Sequence, residues 1–184
     1  MKMESQETKK ALFLDRDGVI NIDHGYVYET DRLEFLEDLG PILKKLSEKF
    51  LLIVITNQSG IARSLFKYSD VESFHKFLNK KLLEDYGCEI DAFYVCPHHP
   101  KFSGACSCRK PGTAMLAEAV KDFNIKIEES IFVGDKASDI ECAKNFSIPT
   151  TIQIMGQYEK SKNADYYVSS WKQIEKLLLN LKLI

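Results

Sequence analysis

Two aspartates one residue apart, Asp15 and Asp17, close an apolar run and are followed directly by Gly18. The run, residues 11–14, reads as a buried strand, and ligands of open parallel sheets gather at the carboxyl ends of the strands. Carboxylates that close repel one another, which favours a hard cation taking oxygen ligands, Mg²⁺. Asp15, at the strand end, then suits the role of nucleophile toward phosphorus. Asp17 reaches a leaving-group oxygen as an acid and afterwards a water as a base. Taken alone, the pair fits an acidic turn capping a strand better, so other residues must decide.

Four of them do. Thr56 ends the apolar run 51–55, Asp135 follows the run 131–134, Lys110 leads through Pro111 into a helical stretch, and Asp139 stands four residues after Asp135. Phosphoryl transfer through an aspartyl-phosphate needs this set. Asp15 attacks, Asp15 and Asp135 hold the magnesium, Thr56 hydrogen-bonds the phosphoryl oxygens, and Lys110 neutralises charge on the nucleophile and the transferring group. Singly, Thr56 fits a strand-end hydroxyl, Lys110 a solvated charge and Asp139 a helix-start carboxylate favoured by the dipole. Behind the metal, Asp139 has a sharper role as an outer-sphere support. The order DxDG, T, K, GDxxxD, each after the right element, is far more specific than any member.

The elements that must position these residues alternate between strand and helix. Strands are expected at 11–14, 51–55, 92–95, 131–133 and 150–154, with a short one at 166–168. Helical spacing joins Leu36, Leu39, Ile42, Leu43 and Leu46; Val71, Phe74, Leu78 and Leu82; Met115, Leu116, Ala119, Val120 and Phe123; and Trp171, Ile174, Leu177, Leu178 and Leu181. Capping boxes are expected at 69–72 and 138–141. His75, in mid-helix, reads as a surface group. Segment 22–35 lacks helical period and is expected to cross the active end as a small hairpin, with His24 near the substrate. The pattern predicts an α/β fold: a doubly wound, mainly parallel sheet with helices on both faces.

The chain has 184 residues, 45% of them hydrophobic and 28% charged, enough for one sizeable core. Residues 1–10 read as a polar, flexible tail without an apolar signal core, and residues 11–184 as a single domain. A net charge of −2 offers no electrostatic basis for a nucleic-acid or anionic-membrane partner, and no apolar run approaches the ~20 residues of a membrane span. Five cysteines, an odd number with three crowded between Cys96 and Cys108, point to a reducing, cytoplasmic setting and to metal binding. Cys96, His98, Cys106 and Cys108 have the composition of a closed, structural zinc site, with His99 as a rival ligand to His98. Cys88 and Cys142 read as small buried residues. The chain is expected to be a monomer.

These residues resemble the haloacid dehalogenase superfamily of aspartyl phosphatases, over residues 11–154. DRDGVIN with DHGYV (residues 23–27), TNQSGIAR (56–63), CPHHP (96–100), CSCRKP (106–111) and GDK (134–136) look like the D-glycero-D-manno-heptose 1,7-bisphosphate phosphatases, with the histidinol-phosphate phosphatases as cousins. The resemblance implies a minimal cap, Asp15 as nucleophile, Asp17 as acid/base, and Mg²⁺ on Asp15, Asp135 and the backbone carbonyl of Asp17. It implies zinc on Cys96, His98, Cys106 and Cys108. It also implies substrate contacts from Asp23, His24, Gly25, Tyr26, Thr56, Asn57, Gln58, Ser59, Arg109, Lys110 and Lys136. The expected activity is Mg²⁺-dependent removal of the C7 phosphate of a heptose 1,7-bisphosphate, in the supply of activated heptose for a surface glycan. A histidinol-phosphate phosphatase is the alternative. One departure is that Arg109-Lys110-Pro111 runs into Gly112-Thr113-Ala114, where the family continues with Pro-Gly. A phospho-receiver domain would carry its acceptor aspartate after the third strand, where this chain has Cys96.

Overall fold

A computed structural model of the chain describes residues 9–184; residues 1–8, most of the expected tail, lie outside it. Lys9 and Lys10 already belong to the fold. The Lys9 carbonyl accepts from the Lys126 amide (2.8 Å) and that of Lys10 from the Leu51 amide (3.0 Å).

Six strands form one sheet: β1 (Ala11–Leu14), β2 (Leu51–Asn57), β3 (Ala92–Cys96), β4 (Ile131–Gly134), β5 (Thr150–Ile154) and β6 (Tyr166–Val168). Their order is β3-β2-β1-β4-β5-β6, and every pair is parallel. The helices are α1 (Leu39–Ser47), α2 (Tyr68–Tyr86), the single turn α3 (Pro100–Ser103), α4 (Ala114–Phe123), α5 (Ala137–Asn145) and α6 (Trp171–Asn180). Side chains alternate across the central strands, as a pleated backbone requires. Leu12, Leu14, Leu52, Val54 and Val133 pack with α1, α2 and α6, while Ala11, Phe13, Ile53, Ile55 and Phe132 pack with α4 and α5. Both faces are therefore covered, which is why the inner strands are apolar throughout rather than alternating.

The sheet order reverses between β1 and β4, and the crevice that opens there, at the carboxyl ends of the strands, is where doubly wound folds bind ligands. Asp15 and Asp135 end the two strands that flank it.

Four local expectations are corrected. Helix α2 starts at Tyr68 rather than after a cap at Ser69, because the Asp70 carboxylate accepts from the Lys67 amide (2.7 Å). Helix α5 likewise starts at Ala137, with Asp139 Oδ2 accepting from the Lys136 amide (3.0 Å). In both, an acid at the third helical position satisfies the cap amide by itself, and the serine of the expected box lies inside the first turn. Segment 22–35 forms no hairpin; a 3₁₀ turn (Thr30–Arg32) and isolated bridges from Asn21 to Asp17 and Phe35 hold it against the crevice. His75 is buried, stacked on Phe93 with ring centroids 4.2 Å apart.

Candidate active site

Lys110 is the hub of the crevice floor. Its ammonium, 1% exposed, donates to Asp15 Oδ1 (2.7 Å) and to the Ile55 carbonyl (2.7 Å) and pairs with Asp139 Oδ1 (2.7 Å). Burial disfavours its charge, but Asp139 and Asp15 together hold its pKa above the ordinary lysine value. Asn57 fixes the lysine's backbone from both sides, accepting from the Lys110 amide (3.0 Å) and donating to the Lys110 carbonyl (3.3 Å). Gly112, two residues on, is required by space: a Cβ there would lie 2.3 Å from the Ser107 carbonyl oxygen. The Gly112-Thr113-Ala114 departure thus leaves Lys110 in place and starts α4 at Ala114.

Asp15, Asp135 and Asp139 offer carboxylate oxygens that lie within 4.8 Å of one another, all buried. Burial raises the Asp15 pKa against the pull of Lys110, and burial with the charges of Asp15 and Asp139 pushes Asp135 up to about 9. Asp135 Oδ1 is buried without a hydrogen-bond partner. The nearest ammonium, that of Lys136, is 3.9 Å away. A crowded, under-compensated set of hard oxygens is a good fit for Mg²⁺. The backbone is shaped to it. Gly18 has φ +85°, and a Cβ there would sit 2.1 Å from Asp135 Oδ2. Asp139 Oδ2 accepts the amides of Asp135 (3.2 Å) and Lys136 (3.0 Å), holding the turn from behind.

The Asp17 carboxylate turns away from that group. It accepts from Arg16 Nε (3.1 Å) and Nη2 (2.8 Å), from Asn21 Nδ2 (2.9 Å) and from Gln58 Nε2 (3.0 Å). Gln58 also donates to Thr56 Oγ1 (3.0 Å), so the strand-end hydroxyl and the acid/base candidate share one amide.

Above this floor opens a polar cleft of about 620 Å³. Its lining gathers every residue expected at the substrate: Asp23, His24, Gly25 and Tyr26 on one side, Thr56, Asn57, Gln58 and Ser59 on a second, and Arg109, Lys110 and Lys136. The sequence reading missed Gln157 and Tyr158, which line it too. Tyr158 donates to Asp23 Oδ2 (2.9 Å), and Lys136 Nζ sits 4.4 Å above the tyrosine ring. They follow β5 at the same end of the sheet as Asp135, and that position was the one available signal. Half-burial works against the Asp23 charge. The Gly25 amide, Tyr158 and Lys136 outweigh it and lower the pKa.

Beside the cleft, four soft ligands converge. Cys108 Sγ lies 3.1 Å from that of Cys96 and 3.5 Å from that of Cys106, and 3.2 Å from His98 Nδ1; Cys96 and Cys106 are 3.8 Å apart. Sulfurs on a zinc tetrahedron with bonds of ≈ 2.3 Å would be about 3.8 Å apart; Cys96 and Cys106 match that, Cys108 sits closer to both, and the three-thiol, one-imidazole composition is that of a structural zinc site. His99 is no rival ligand, since its Nδ1 accepts from the Lys101 amide and its Nε2 meets Arg63. Arg109 Nη1 donates to the His98 carbonyl (3.2 Å), tying the loop to the cleft wall. Cys88 and Cys142 are buried, as read.

The family model described as polynucleotide kinase 3 phosphatase matches residues 21–176. A D-glycero-beta-D-manno-heptose-1,7-bisphosphate 7-phosphatase of Haemophilus ducreyi is 42% identical over 171 residues, covering 88% of this chain and 94% of its own. The protein of the same name from Pasteurella multocida is 38% identical, covering 95% and 99%. Among solved structures, the D,D-heptose 1,7-bisphosphate phosphatase of B. bronchiseptica, complexed with magnesium and phosphate, superposes with a TM-score of 0.81 at 25% identity, covering 94% of this chain and 99% of that one. With its crevice, its carboxylates and these likenesses together, the chain belongs to the D-glycero-beta-D-manno-heptose-1,7-bisphosphate 7-phosphatase family of haloacid dehalogenase-like phosphatases.

Proposed function

We propose that this chain hydrolyses the C7 phosphate of a heptose 1,7-bisphosphate and leaves the anomeric phosphate in place. The observation that carries the reading is the placement of cations in one cleft. Lys110 lies on the floor against Asp15, while Arg109 and Lys136 stand on the walls. The floor serves the reacting phosphoryl group, and a planar guanidinium fork on the wall suits the second phosphate. Binding energy from that remote group is then available to orient the reacting end.

An Asp15 carboxylate oxygen attacks phosphorus, forming the aspartyl-phosphate as the bond to the C7 oxygen breaks. Asp17, protonated, gives its proton to the leaving alkoxide; as a carboxylate it then takes a proton from the water that cleaves the acyl phosphate. Lys110 and Thr56 meet the phosphoryl oxygens. Asp15, Asp135 and the Asp17 backbone carbonyl would hold Mg²⁺, which would supply positive charge for the transferring group, with Asp139 supporting the site from behind. Zinc on Cys96, His98, Cys106 and Cys108 holds the loop that carries Arg109 and Lys110. We further read the enzyme as a cytoplasmic monomer; the five free cysteines support a reducing setting, and ultracentrifugation checks the monomer.

Phosphate release from a panel of sugar bisphosphates and histidinol phosphate, with and without Mg²⁺, tests the reading. The heptose bisphosphate should be turned over best and only with the metal. A preference for histidinol phosphate would overturn the substrate assignment.

A further inference from the structure

Arg16 is a fully buried arginine whose hydrogen bonds run in two directions. Toward the cleft, Nε and Nη2 grip the Asp17 carboxylate at 2.8–3.1 Å, and Nη2 also donates to the Val27 carbonyl (2.5 Å). Away from the cleft, Nη1 donates to His75 Nε2 at 3.3 Å. Two neighbouring residues of α2 hold the guanidinium: Phe74 lies under its face, 4.7 Å from ring centroid to Cζ, and His75 meets its edge. An arginine is always a donor, so His75 has to be neutral with its proton on Nδ1. Burial and the nearby Arg16 charge, which lower its pKa to about 3, agree with that state. The imidazole is itself immobilised by stacking on Phe93 at the sheet edge, with ring planes 15° apart.

We propose that His75 is a positioning residue for the acid/base step, fixing through Arg16 the place of the Asp17 carboxylate. The inference rests on the reading of Asp17 as acid and base. Removing the acceptor leaves a buried N–H of Arg16 unpaired, and a long side chain relieves that by turning. The carboxylate it grips at two nitrogens turns with it. Misplacement of a proton donor by about 1 Å is enough to slow a reaction roughly hundredfold. Among the described residues, the carboxylates of Asp15, Asp135 and Asp139 with Lys110 make no side-chain hydrogen bond to Arg16 or His75 and keep their own anchors; Thr56 is linked to Asp17 only through the Gln58 amide.

The test compares His75→Phe, which keeps an aromatic ring on Phe93 without the acceptor, with His75→Gln, which restores an acceptor. His75→Leu stands in if the larger ring does not fit. On the heptose bisphosphate, His75→Phe or His75→Leu should lower kcat roughly tenfold to hundredfold, with KM within about twofold. Mg²⁺-dependent binding of beryllofluoride, which mimics the phosphoryl group on Asp15, should stay unchanged, and His75→Gln should recover most of kcat. A folded His75→Phe or His75→Leu with wild-type kcat would overturn the proposal. So would a loss of beryllofluoride affinity matching the loss of kcat, which marks a general loosening. Asp17→Asn separates the two levels of the argument. Rapid turnover by that variant overturns the acid/base reading itself, whereas slow turnover beside an unaffected His75→Phe overturns the positioning role alone.

Discussion

The carboxylate group on the crevice floor and the thiol group beside it are both crowds of metal-ligand atoms, but they are held together in opposite ways. Asp15 lies far along the chain from Asp135 and Asp139, and the three meet because β1 runs beside β4 and the turn into α5. Their charge is partly offset by Lys110 and Lys136, so the crowd persists without a metal at the cost of raised carboxyl pKa values. Cys96, His98, Cys106 and Cys108 lie within one short stretch that ends β3 and continues as a loop. They touch mainly one another. Among the described residues, no lysine pairs with them as Lys110 does with the acids. The comparison teaches that the fold builds the first site and the second has to build its own loop, which needs the ion.

The largest effect should come from breaking the chemistry while sparing the first site's architecture. Asp15→Asn keeps a hydrogen-bonding group of the same shape but cannot attack phosphorus; turnover should fall on the order of 10⁴-fold or more, with the melting temperature little changed. Readily measurable multiple turnover by pure protein would sink the covalent route. Lys110→Met comes next. It leaves Asp15 and Asp139 buried without their shared cation, which should cost about 3–5 kcal/mol of stability and lower kcat by roughly 10²–10³. Denaturant midpoints and steady-state rates check both; a variant as stable as wild type would show that the fold does not lean on this ion pair.

The contrast between the two sites also bears on what the sequence disclosed. Strand ends are legible because a continuous apolar run followed by Asp or Thr marks both the element and the direction of its last residue. Asp15, Thr56 and Asp135 were placed that way, and the sheet came out entirely rather than mainly parallel. His75 was not legible. On helical spacing it sits next to Phe74, and its burial depends on Phe93 and Arg16, which lie far away in sequence. Tyr158 escaped for a similar reason, since its partner Asp23 is 135 residues away and Tyr158 itself lies in no motif. The capping boxes failed by two residues because an acid at the third helical position caps without the serine.

In the thiol site, Cys106→Ser should remove most of the zinc and lower stability together, by about 3 kcal/mol or more. Activity should fall less, roughly tenfold, because Asn57 still pins the Lys110 backbone from β2. Metal analysis and melting curves on the same preparation test the coupling. A zinc-free protein with an unchanged melting temperature would remove the distinction between the two sites. A smaller effect is expected from Arg109→Ala, on the wall that joins them. It should cost the bisphosphate roughly tenfold in kcat/KM and a small monophosphate much less, narrowing the gap between them. Equal losses on both substrates would contradict the assignment of Arg109 to the second phosphate.

The last prediction concerns pH and metal at the carboxylates alone. In the metal-free protein Asp135 holds its proton up to about 9, through burial and the charges of Asp15 and Asp139, against an ordinary value of 3.8. A folded-state pKa above the unfolded one means that the native state binds the extra proton. The stability it confers is complete below the unfolded value and is lost as pH rises from there through the folded one. Metal-free protein should accordingly lose stability steadily between pH 6 and 9. Mg²⁺ needs the deprotonated carboxylate and binds the folded state only, so its stabilising effect at a fixed concentration should grow over the same range. Melting temperatures with and without Mg²⁺ at pH 6 and pH 9 decide the matter. Asp135→Asn removes the titrating group and should flatten the difference. A Mg²⁺ shift that is the same at both pH values in the wild type would mean that the carboxylates are already ionised without the metal, and that the lysines compensate them more fully than the unpartnered Asp135 oxygen indicates.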